Sequence, residues 1–187
     1  MYYNCPFNYT NDYDDYSYND DYDYNNYNYD DLYRTENTPS TVTNIYSYPQ
    51  NLAGAIRLIE ESVGGEREDE LFYNYLLSVA PNAEAKRIIT GIRDDERKHN
   101  VMLRLIYTQL TRRTLPQGQD GTFQKPSSYI DGIRQSIIGE TDAVKRYRTI
   151  LFALQNRVHI NMLTEILSDE LRHASLYNML LNLNPSR

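Results

Sequence analysis

Two stretches decide the fold of this sequence: GEREDELFYNYLLSVAPNAEAKRIITGIRDDERKH at residues 65–99 and GETDAVKRYRTILFALQNRVHINMLTEILSDELRH at residues 139–173. They align without a gap when the chain is shifted by 74 residues, and 13 of the 44 positions from 56 to 99 are then identical. Glutamate, tyrosine and an Asp-Glu-x-x-His motif are among the shared positions, whereas a hairpin repeated for packing alone would share mainly leucine and isoleucine. The repeat therefore indicates a duplicated unit with a chemical role.

Apolar residues recur at helical spacing through both stretches and on either side of them. Pro81-Asn82 interrupts the first pattern, and a turn near Asn156 interrupts the second. No segment of this part of the chain alternates as a strand would. We therefore expect an all-α four-helix bundle made of two helical hairpins, at 49–112 and 127–182, joined by a long crossover at 113–126.

The first 47 residues have a different composition from the rest. They are rich in Tyr, Asn and Asp, and carry nine acidic side chains but one basic side chain, Arg34. Dense like charge and few aliphatic residues predict a disordered tail at 1–47 and a folded domain at 48–187. The tail is either a solubilising appendage or a segment for assembly or targeting, since alternating aromatic and polar residues can associate.

Composition also excludes several classes of protein. The net charge of −7 comes from the tail, and no basic stripe predicts binding to nucleic acid. No apolar run approaches the roughly 18–20 residues of a membrane span, and the N-terminus does not resemble a secretory signal. Cys5 is the single cysteine, so no disulfide or cysteine-based metal site can form within the chain. We expect a cytoplasmic protein that interacts with neither membranes nor nucleic acid.

The spacing of the shared acids predicts that they meet at one level of the bundle. In the first hairpin, Glu66 and Glu96 each lie 15 residues from Pro81 at the turn, and His99 follows Glu96 by three residues on the same helical face. The second hairpin repeats this spacing around Gln155. The six candidate metal ligands are Glu66, Glu96, His99, Glu140, Glu170 and His173.

Charge balance favours two metal ions at this site. Four carboxylates and two neutral imidazoles balance two divalent ions, whereas the empty cluster would repel itself and take up protons. The ligand types suit iron or manganese without choosing between them. The alternative is that the glutamates are surface acids beside helix kinks at Gly65 and Gly139, and that the histidines are ordinary core residues.

Four further shared residues are candidates for supporting the ligands. Metal-bound histidines usually donate their second nitrogen to a carboxylate, so we expect Asp95 to contact His173 and Asp169 to contact His99, across the hairpins. Tyr73 and Tyr147 are either plain core aromatics or donors to the carboxylates. No catalytic residue beyond the ligands is expected.

With these residues, the chain resembles the ferritin-like superfamily, and specifically a rubrerythrin-type di-metal domain, over roughly residues 50–182. The segments GEREDELFYNYL and IRDDERKH, with the Tyr-rich N-terminus, are also similar to rubrerythrin-like proteins of spore-forming bacteria. The resemblance implies an oxidoreductase, of peroxidase or ferroxidase type, that reduces hydrogen peroxide or dioxygen during oxidative stress. The rubredoxin module of rubrerythrins is missing from this sequence, which implies an external electron donor protein.

One ligand position departs from the rubrerythrin pattern. That family has an extra glutamate three residues after the third-helix ligand, and Ala143 occupies this position here. The corresponding first-helix residue is Asp69, which is a candidate extra ligand.

A non-catalytic function needs the same ligands as a redox enzyme. The alternative to the enzyme is therefore an iron-storage or metal-binding protein, or a structural protein of a spore coat or shell. In that alternative, the Tyr-rich tail drives assembly, and the chain forms a homo-oligomer or a coat.

Overall fold

The computed structural model of the chain describes residues 44–116 and 123–183, apart from the side chain of Glu66. The described residues form five α-helices and contain no strand, which confirms the all-α bundle. The helices are α1 (Leu52–Gly64), α2 (Glu66–Val79), α3 (Ala83–Thr111), α4 (Tyr129–Leu151) and α5 (Arg157–Leu183). The tail is expected to be disordered. Residues 1–43 lie outside the described ranges, so this expectation stays a prediction.

The first helix of the bundle is interrupted at Gly65, where the sequence pattern predicts one continuous helix. Gly65 keeps right-handed backbone angles, and Asp69 N still donates to Gly65 O at 3.0 Å, so α2 continues the path of α1. The equivalent Gly139 lies inside an uninterrupted α4. The difference follows from Gly64, because two adjacent glycines weaken a helix more than the Ile138-Gly139 pair does.

Both hairpin turns end in an asparagine that caps the next helix. Asn82 Oδ1 accepts a hydrogen bond from Ala85 N at 2.9 Å, and Asn156 Oδ1 accepts one from Val158 N at 2.8 Å. A side-chain oxygen at this position satisfies an amide that has no partner within the helix. The shared asparagine of the repeat therefore sets the start of α3 and of α5.

Contacts between helix ends fix the topology. Asn51 Nδ2, just before α1, donates to Phe152 O at the end of α4, at 3.2 Å. His159 Nε2, near the start of α5, lies 2.6 Å from Gln109 Oε1, near the end of α3. Neighbours α1 and α4, and likewise α3 and α5, are therefore antiparallel. Because each hairpin is antiparallel within itself, α3 and α4 run parallel.

Parallel α3 and α4 require the crossover to return along the bundle, as predicted. Its first part doubles back beside α3, where the Arg104 guanidinium donates to the carbonyls of Leu115 and Pro116 at 3.1 and 2.9 Å. Its last part reaches the other end of the bundle, where the Tyr75 hydroxyl donates to Pro126 O at 3.2 Å. Residues 117–122, between these two parts, lie outside the described ranges.

The segment just before α1 packs on the bundle, although residues up to 47 were expected to belong to the tail. Asn51 Nδ2 donates to Ile45 O at 2.7 Å, and the Tyr46 and Phe152 rings lie 5.0 Å apart between centroids. These contacts close the end of the bundle where α4 ends. Tyr46, which composition assigns to the tail, therefore has an aromatic partner on the bundle.

Buried apolar residues form two core clusters, one toward each end of the bundle. The first core cluster comprises Ala55, Ile59, Val63, Leu103, Ile106, Tyr107, Ala143, Tyr147, Ile150, Ala153, Leu154, Leu163 and Ile166. The second comprises Tyr73, Leu76, Ala85, Ile88, Ile89, Ile92, Ile133, Tyr177 and Leu180. Along α3 and α5, the candidate ligands lie between the two clusters. Within residues 44–116 and 123–183, no helix combines the length and low charge needed to cross a membrane.

Candidate metal centre

Carboxylates and imidazoles from three helices meet at the middle of the bundle. His99 Nδ1, on α3, lies 3.2 Å from Glu170 Oε1 and 3.5 Å from Glu96 Oε2. His173 Nδ1, on α5, lies 3.0 Å from Glu96 Oε1 and 3.7 Å from Glu140 Oε2. The two imidazole rings are stacked, with centroids 5.9 Å apart. The structure therefore brings together five of the six side chains singled out in the sequence.

Four of these side chains converge tightly enough to share a metal ion. Glu96, Glu140, Glu170 and His173 each offer one ligand atom, and the four atoms lie within 4.8 Å of one another. His99 lies beside this group, against Glu170. Oxygen and imidazole nitrogen donors in this mixture suit iron or manganese.

Burial makes the cluster costly without a cation. His173 and His99 are 0 and 1% exposed, and Glu170 and Glu140 are 2 and 6% exposed. Oε1 of Glu96, Oε1 of Glu170 and Nδ1 of both histidines are buried, and apart from one another they have no hydrogen-bond partner. Such groups are rare in folded proteins, and a bound ion is one of their explanations. The donor set of Glu96, Glu140, Glu170 and His173 therefore fits a bound metal ion.

The carboxyl groups of the cluster differ in their affinity for a proton. Burial raises the pKa of Glu140 to about 9, and the neighbouring Glu170 and Glu96 act in the same direction. Burial also opposes ionisation of Glu96, but its contacts with His173 and His99 hold its pKa below the ordinary value. In the absence of metal, Glu140 is thus the carboxyl that holds a proton at neutral pH.

The two histidines are cationic when no metal is present. Burial alone would lower the pKa of His99 and of His173, but the carboxylates around them outweigh burial and raise both values to about 10. For His99 these carboxylates are Glu170 and Glu96, and for His173 they are Glu140 and Glu96. Each imidazole must release a proton before its Nδ1 can bind a metal ion.

Each histidine turns its other nitrogen toward an aspartate of the opposite hairpin. His99 Nε2 lies 3.1 Å from Asp169 Oδ2, and His173 Nε2 lies 3.3 Å from Asp95 Oδ2. Both crossed contacts predicted from the repeat are confirmed. An aspartate that accepts from Nε2 holds the proton there and leaves Nδ1 directed at the carboxylates, as a ligand requires.

The two shared tyrosines lie close to the cluster. Tyr73 and Tyr147 are 8 and 7% exposed, and both line a cavity of about 410 Å³ together with Glu96 and His99. Burial raises the pKa of each phenol well above its ordinary value, and the charge of Glu96 adds to this effect. Both hydroxyls therefore stay protonated and can donate hydrogen bonds. Their suggested role toward the carboxylates stays a prediction.

A third tyrosine beside the cluster was not singled out from the sequence. Tyr177 is completely buried, and burial followed by the charge of Glu140 raises its pKa well above the usual range. The repeat does not mark it, because the equivalent residue is Leu103. Its position four residues after His173, on the same helical face, is the signal that could have found it.

Asp69 lies at the edge of the cluster, as the sequence suggests. It lines clefts on both sides of α2, one shared with Glu96 and His99 and the other with Glu140 and Ala143. Although the residue keeps contact with solvent, desolvation and then the charge of Glu96 raise its pKa to about 6. Its use as an extra ligand stays a prediction.

The remaining candidate ligand is Glu66. It is the first residue of α2, immediately after the interruption at Gly65, and its side chain lies outside the described part of the structure. The prediction that Glu66 binds metal therefore stays open.

Comparisons with known proteins support the fold and leave the family open. No family model matches the sequence, and no match is found among curated proteins. The structure is similar to that of rv2844, a conserved hypothetical protein from Mycobacterium tuberculosis, with a TM-score of 0.63 and 14% identity over 73% of this chain and 96% of that one. It is also similar to hypothetical protein Pfu-1136390-001 from Pyrococcus furiosus, with a TM-score of 0.52 and 22% identity over 69% of this chain and 89% of that one. At these identities the likeness concerns the fold alone.

Proposed function

We propose that the chain is a rubrerythrin-like di-iron or di-manganese carboxylate protein that reduces hydrogen peroxide or dioxygen. The observation that carries this proposal is the buried convergence of Glu96, Glu140, Glu170 and His173 within 4.8 Å. The crossed aspartate contacts to both histidines support it, because they orient Nδ1 for a ligand. In this proposal, Glu66 completes a set of four carboxylates and two imidazoles.

In this proposal, the side chains of the site have different roles in holding the metal pair. The carboxylates of Glu96, Glu140 and Glu170 neutralise it, and the two imidazoles bind it through Nδ1. The core clusters on either side keep bulk water out of the bundle. Glu140, which holds a proton when the site is empty, releases it on metal binding and becomes the carboxyl best suited to take a proton back.

Hydrogen peroxide is the oxidant that we expect to react faster. A pair of divalent iron or manganese ions supplies two electrons, which together with two protons convert one peroxide molecule into two water molecules. Dioxygen needs four electrons to reach water, so two electrons leave it at the level of peroxide. In this proposal, the electrons come from an external donor protein.

Metal content and anaerobic kinetics test the proposal. The full chain is loaded with ferrous iron without oxygen, its bound iron is counted, and it is mixed with limiting peroxide or with dioxygen in a stopped-flow instrument. We expect two ions per chain and faster oxidation by peroxide. Glu170→Gln should lose the bound iron, whereas Glu84→Gln, an exposed glutamate in the first turn of α3, should retain it.

The same experiment separates the enzyme from its alternatives. Oxidation that is faster with dioxygen, followed by iron accumulating beyond two ions per chain, would indicate ferroxidase and storage activity. Two stably bound ions with no reaction toward either oxidant would indicate a structural metal protein, as in a coat or shell. A wild-type chain that binds no iron or manganese would refute the proposed site. We place the protein in the cytoplasm as part of the same proposal.

A further inference from the structure

One cation bridges the two aspartates that contact the histidines. Arg172 lies on α5, between the candidate ligands Glu170 and His173 in sequence. One of its terminal nitrogens, Nη2, lies 2.7 Å from Asp95 Oδ2 on α3 and 2.8 Å from Asp169 Oδ1 on α5. Its Nε lies 3.2 Å from the same oxygen of Asp169. Arg172 therefore holds both aspartates at once.

These contacts complete a continuous chain of hydrogen-bonding groups from one imidazole to the other. Asp169 uses Oδ2 for His99 and Oδ1 for Arg172, so each of its oxygens has its own partner. Asp95 uses Oδ2 for both Arg172 and His173. The path starts at His99 on α3, passes through Asp169 and Arg172 on α5, returns to Asp95 on α3 and ends at His173 on α5, so Arg172 is its midpoint.

The positive charge of Arg172 offsets the repulsion between the two carboxylates. Asp95 and Asp169 converge on one nitrogen, so their negative charges face each other at short range without it. The side chains of Arg172, Asp95 and Asp169 are 48, 32 and 20% exposed, so the network is only partly screened by solvent. A guanidinium can donate to two carboxylates in fixed directions, which an ammonium does less well.

The first hairpin has no equivalent of this bridge. Lys98 occupies the same position of the repeat as Arg172, but its ammonium pairs with Glu165 of α5 and contacts neither aspartate. Glu165 corresponds to Gly91 in the first hairpin. The two halves of the repeat thus supply one cation for both His–Asp pairs.

We infer that Arg172 is a positioning residue that fixes both His–Asp pairs in the orientation that metal binding requires, an inference that rests on the proposed metal centre. Arg172 contacts both aspartates and acts on His99 through Asp169, and its Nη2 also lies 3.4 Å from His173 Nε2. Its loss should free both aspartates to turn toward solvent. Both imidazoles should then lose orientation together, although they belong to different hairpins.

The test compares Arg172→Gln with Lys98→Gln in the full chain, using zinc as a diamagnetic probe. Both variants remove a cation that pairs between α3 and α5, but only the first touches the aspartates. We expect Arg172→Gln to weaken zinc affinity roughly 10- to 100-fold, the range for groups that orient metal ligands. Lys98→Gln should change the affinity less than twofold, and Arg172→Lys should recover part of the loss by restoring one ion pair.

A readout of the imidazoles themselves separates positioning from a general loss of stability. In nitrogen-15 spectra of the zinc-loaded protein, the Nε2 protons of His99 and His173 should exchange slowly with water. Arg172→Gln should accelerate the exchange of the Nε2 protons at both histidines. In Lys98→Gln, both histidines should exchange these protons at the wild-type rate. Equal effects of the two variants, or acceleration at only one histidine, would overturn the inference while leaving the metal centre intact. If Arg172→Gln does not fold, the same comparison is made with Arg172→Lys, for which unchanged exchange at both histidines would overturn it. A wild-type chain that takes up no zinc, iron or manganese would instead overturn the metal centre, and this inference with it.

Discussion

The two hairpins share the positions that form the centre and differ at the positions that surround it. Each contributes an Asp-Glu-x-x-His motif, and each aspartate contacts the histidine of the other hairpin. Some positions around the motif differ, since Arg172 corresponds to Lys98 and Tyr177 to Leu103. The first hairpin is broken at Gly65, and the second is continuous.

This difference between the hairpins distinguishes the residues that the proposed metal pair requires in both hairpins from residues that can differ between them. In the proposed metal pair, ligands and their orienting carboxylates would be needed twice, once for each ion, and both hairpins carry the Asp-Glu-x-x-His motif. A cation that bridges both aspartates is needed only once, and it is found on one hairpin. Arg172 belongs to the second hairpin, whereas Asp69 and the interruption at Gly65 belong to the first. The bundle is therefore symmetric at its centre and asymmetric around it.

Removing either central histidine tests that symmetry with the largest expected effect. His99→Ala and His173→Ala each delete an imidazole directed at the carboxylates. We expect both to weaken iron or zinc affinity by more than roughly 100-fold, beyond the range for residues that only orient ligands. Competition with a chromophoric chelator measures the affinity.

His159→Ala is the matched control for both variants. His159 is also buried, but it contacts Gln109 at the far end of the bundle. Its replacement should leave metal affinity unchanged in protein that remains helical. A loss confined to one of the two central histidines would break the symmetry.

The pH dependence of metal affinity should involve both hairpins, because His99 and His173 both have a pKa of about 10 in the empty site. Metal binding displaces both protons and also that of Glu140, whose pKa is about 9, so affinity should rise about tenfold per pH unit for each proton, or about a thousandfold for three. The slope of affinity between pH 6 and 8 measures the number of protons released. A slope corresponding to fewer than two protons would show that at least one histidine releases no proton when metal binds.

The stability of the metal-free protein should change in the opposite direction. The folded-state pKa of each histidine lies above its ordinary value of 6.5, so protonation stabilises the fold fully below pH 6.5 and this contribution is lost toward pH 10. Glu140, with a pKa raised from 4.5 to about 9, adds to the same loss. Thermal unfolding of the metal-free chain should therefore occur at lower temperature at pH 9 than at pH 6.5. An unchanged unfolding temperature would contradict these shifts.

The crossed aspartates provide a smaller test of the equivalence of the hairpins. Asp95→Ala and Asp169→Ala should each weaken metal affinity roughly 10- to 100-fold, because an unsupported imidazole loses orientation and basicity. Asp94→Ala is the control, since Asp94 is exposed and pairs with Arg93 and Arg97 instead. Affinity unchanged within error for Asp169→Ala would refute its orienting role.

The smallest test concerns a glycine found in the second hairpin alone. A Cβ at Gly132 would lie 2.6 Å from Leu76 Cδ2, whereas a Cβ at Gly91 meets nothing within 4 Å. Gly132→Ala should destabilise the fold by about 1–2 kcal/mol, because overpacking of about 1–3 kcal/mol exceeds the helical gain of alanine. Gly91→Ala, the control, should stabilise the exposed helix by up to about 1 kcal/mol. Denaturant unfolding measures both, and equal effects would contradict the close approach.

The repeat made the arrangement of the bundle and the crossed His–Asp contacts predictable from sequence. Equal distances from two turns place residues at one height, and the three-residue spacing places them on one face. The same reliance on the repeat explains what was missed. Arg172 and Tyr177 have no identical counterpart, and their roles depend on contacts between helices that a spacing rule does not provide. The interruption at Gly65 depends on the neighbouring Gly64, which the alignment of the halves pairs with Ile138.

The crossed contacts make each hairpin dependent on the other. The crossover joins the two hairpins in one chain and so raises the effective concentration of each near the other. A hairpin alone holds a histidine without its aspartate and an aspartate without its histidine, so neither half has a finished ligand set. Two separate hairpins would have to find each other in solution, and occupancy of the site would vary with protein concentration. Tethering makes that encounter intramolecular, at an effective concentration of about millimolar for a short flexible linker. The two hairpins can therefore diverge in sequence, because neither hairpin has to pair with a copy of itself.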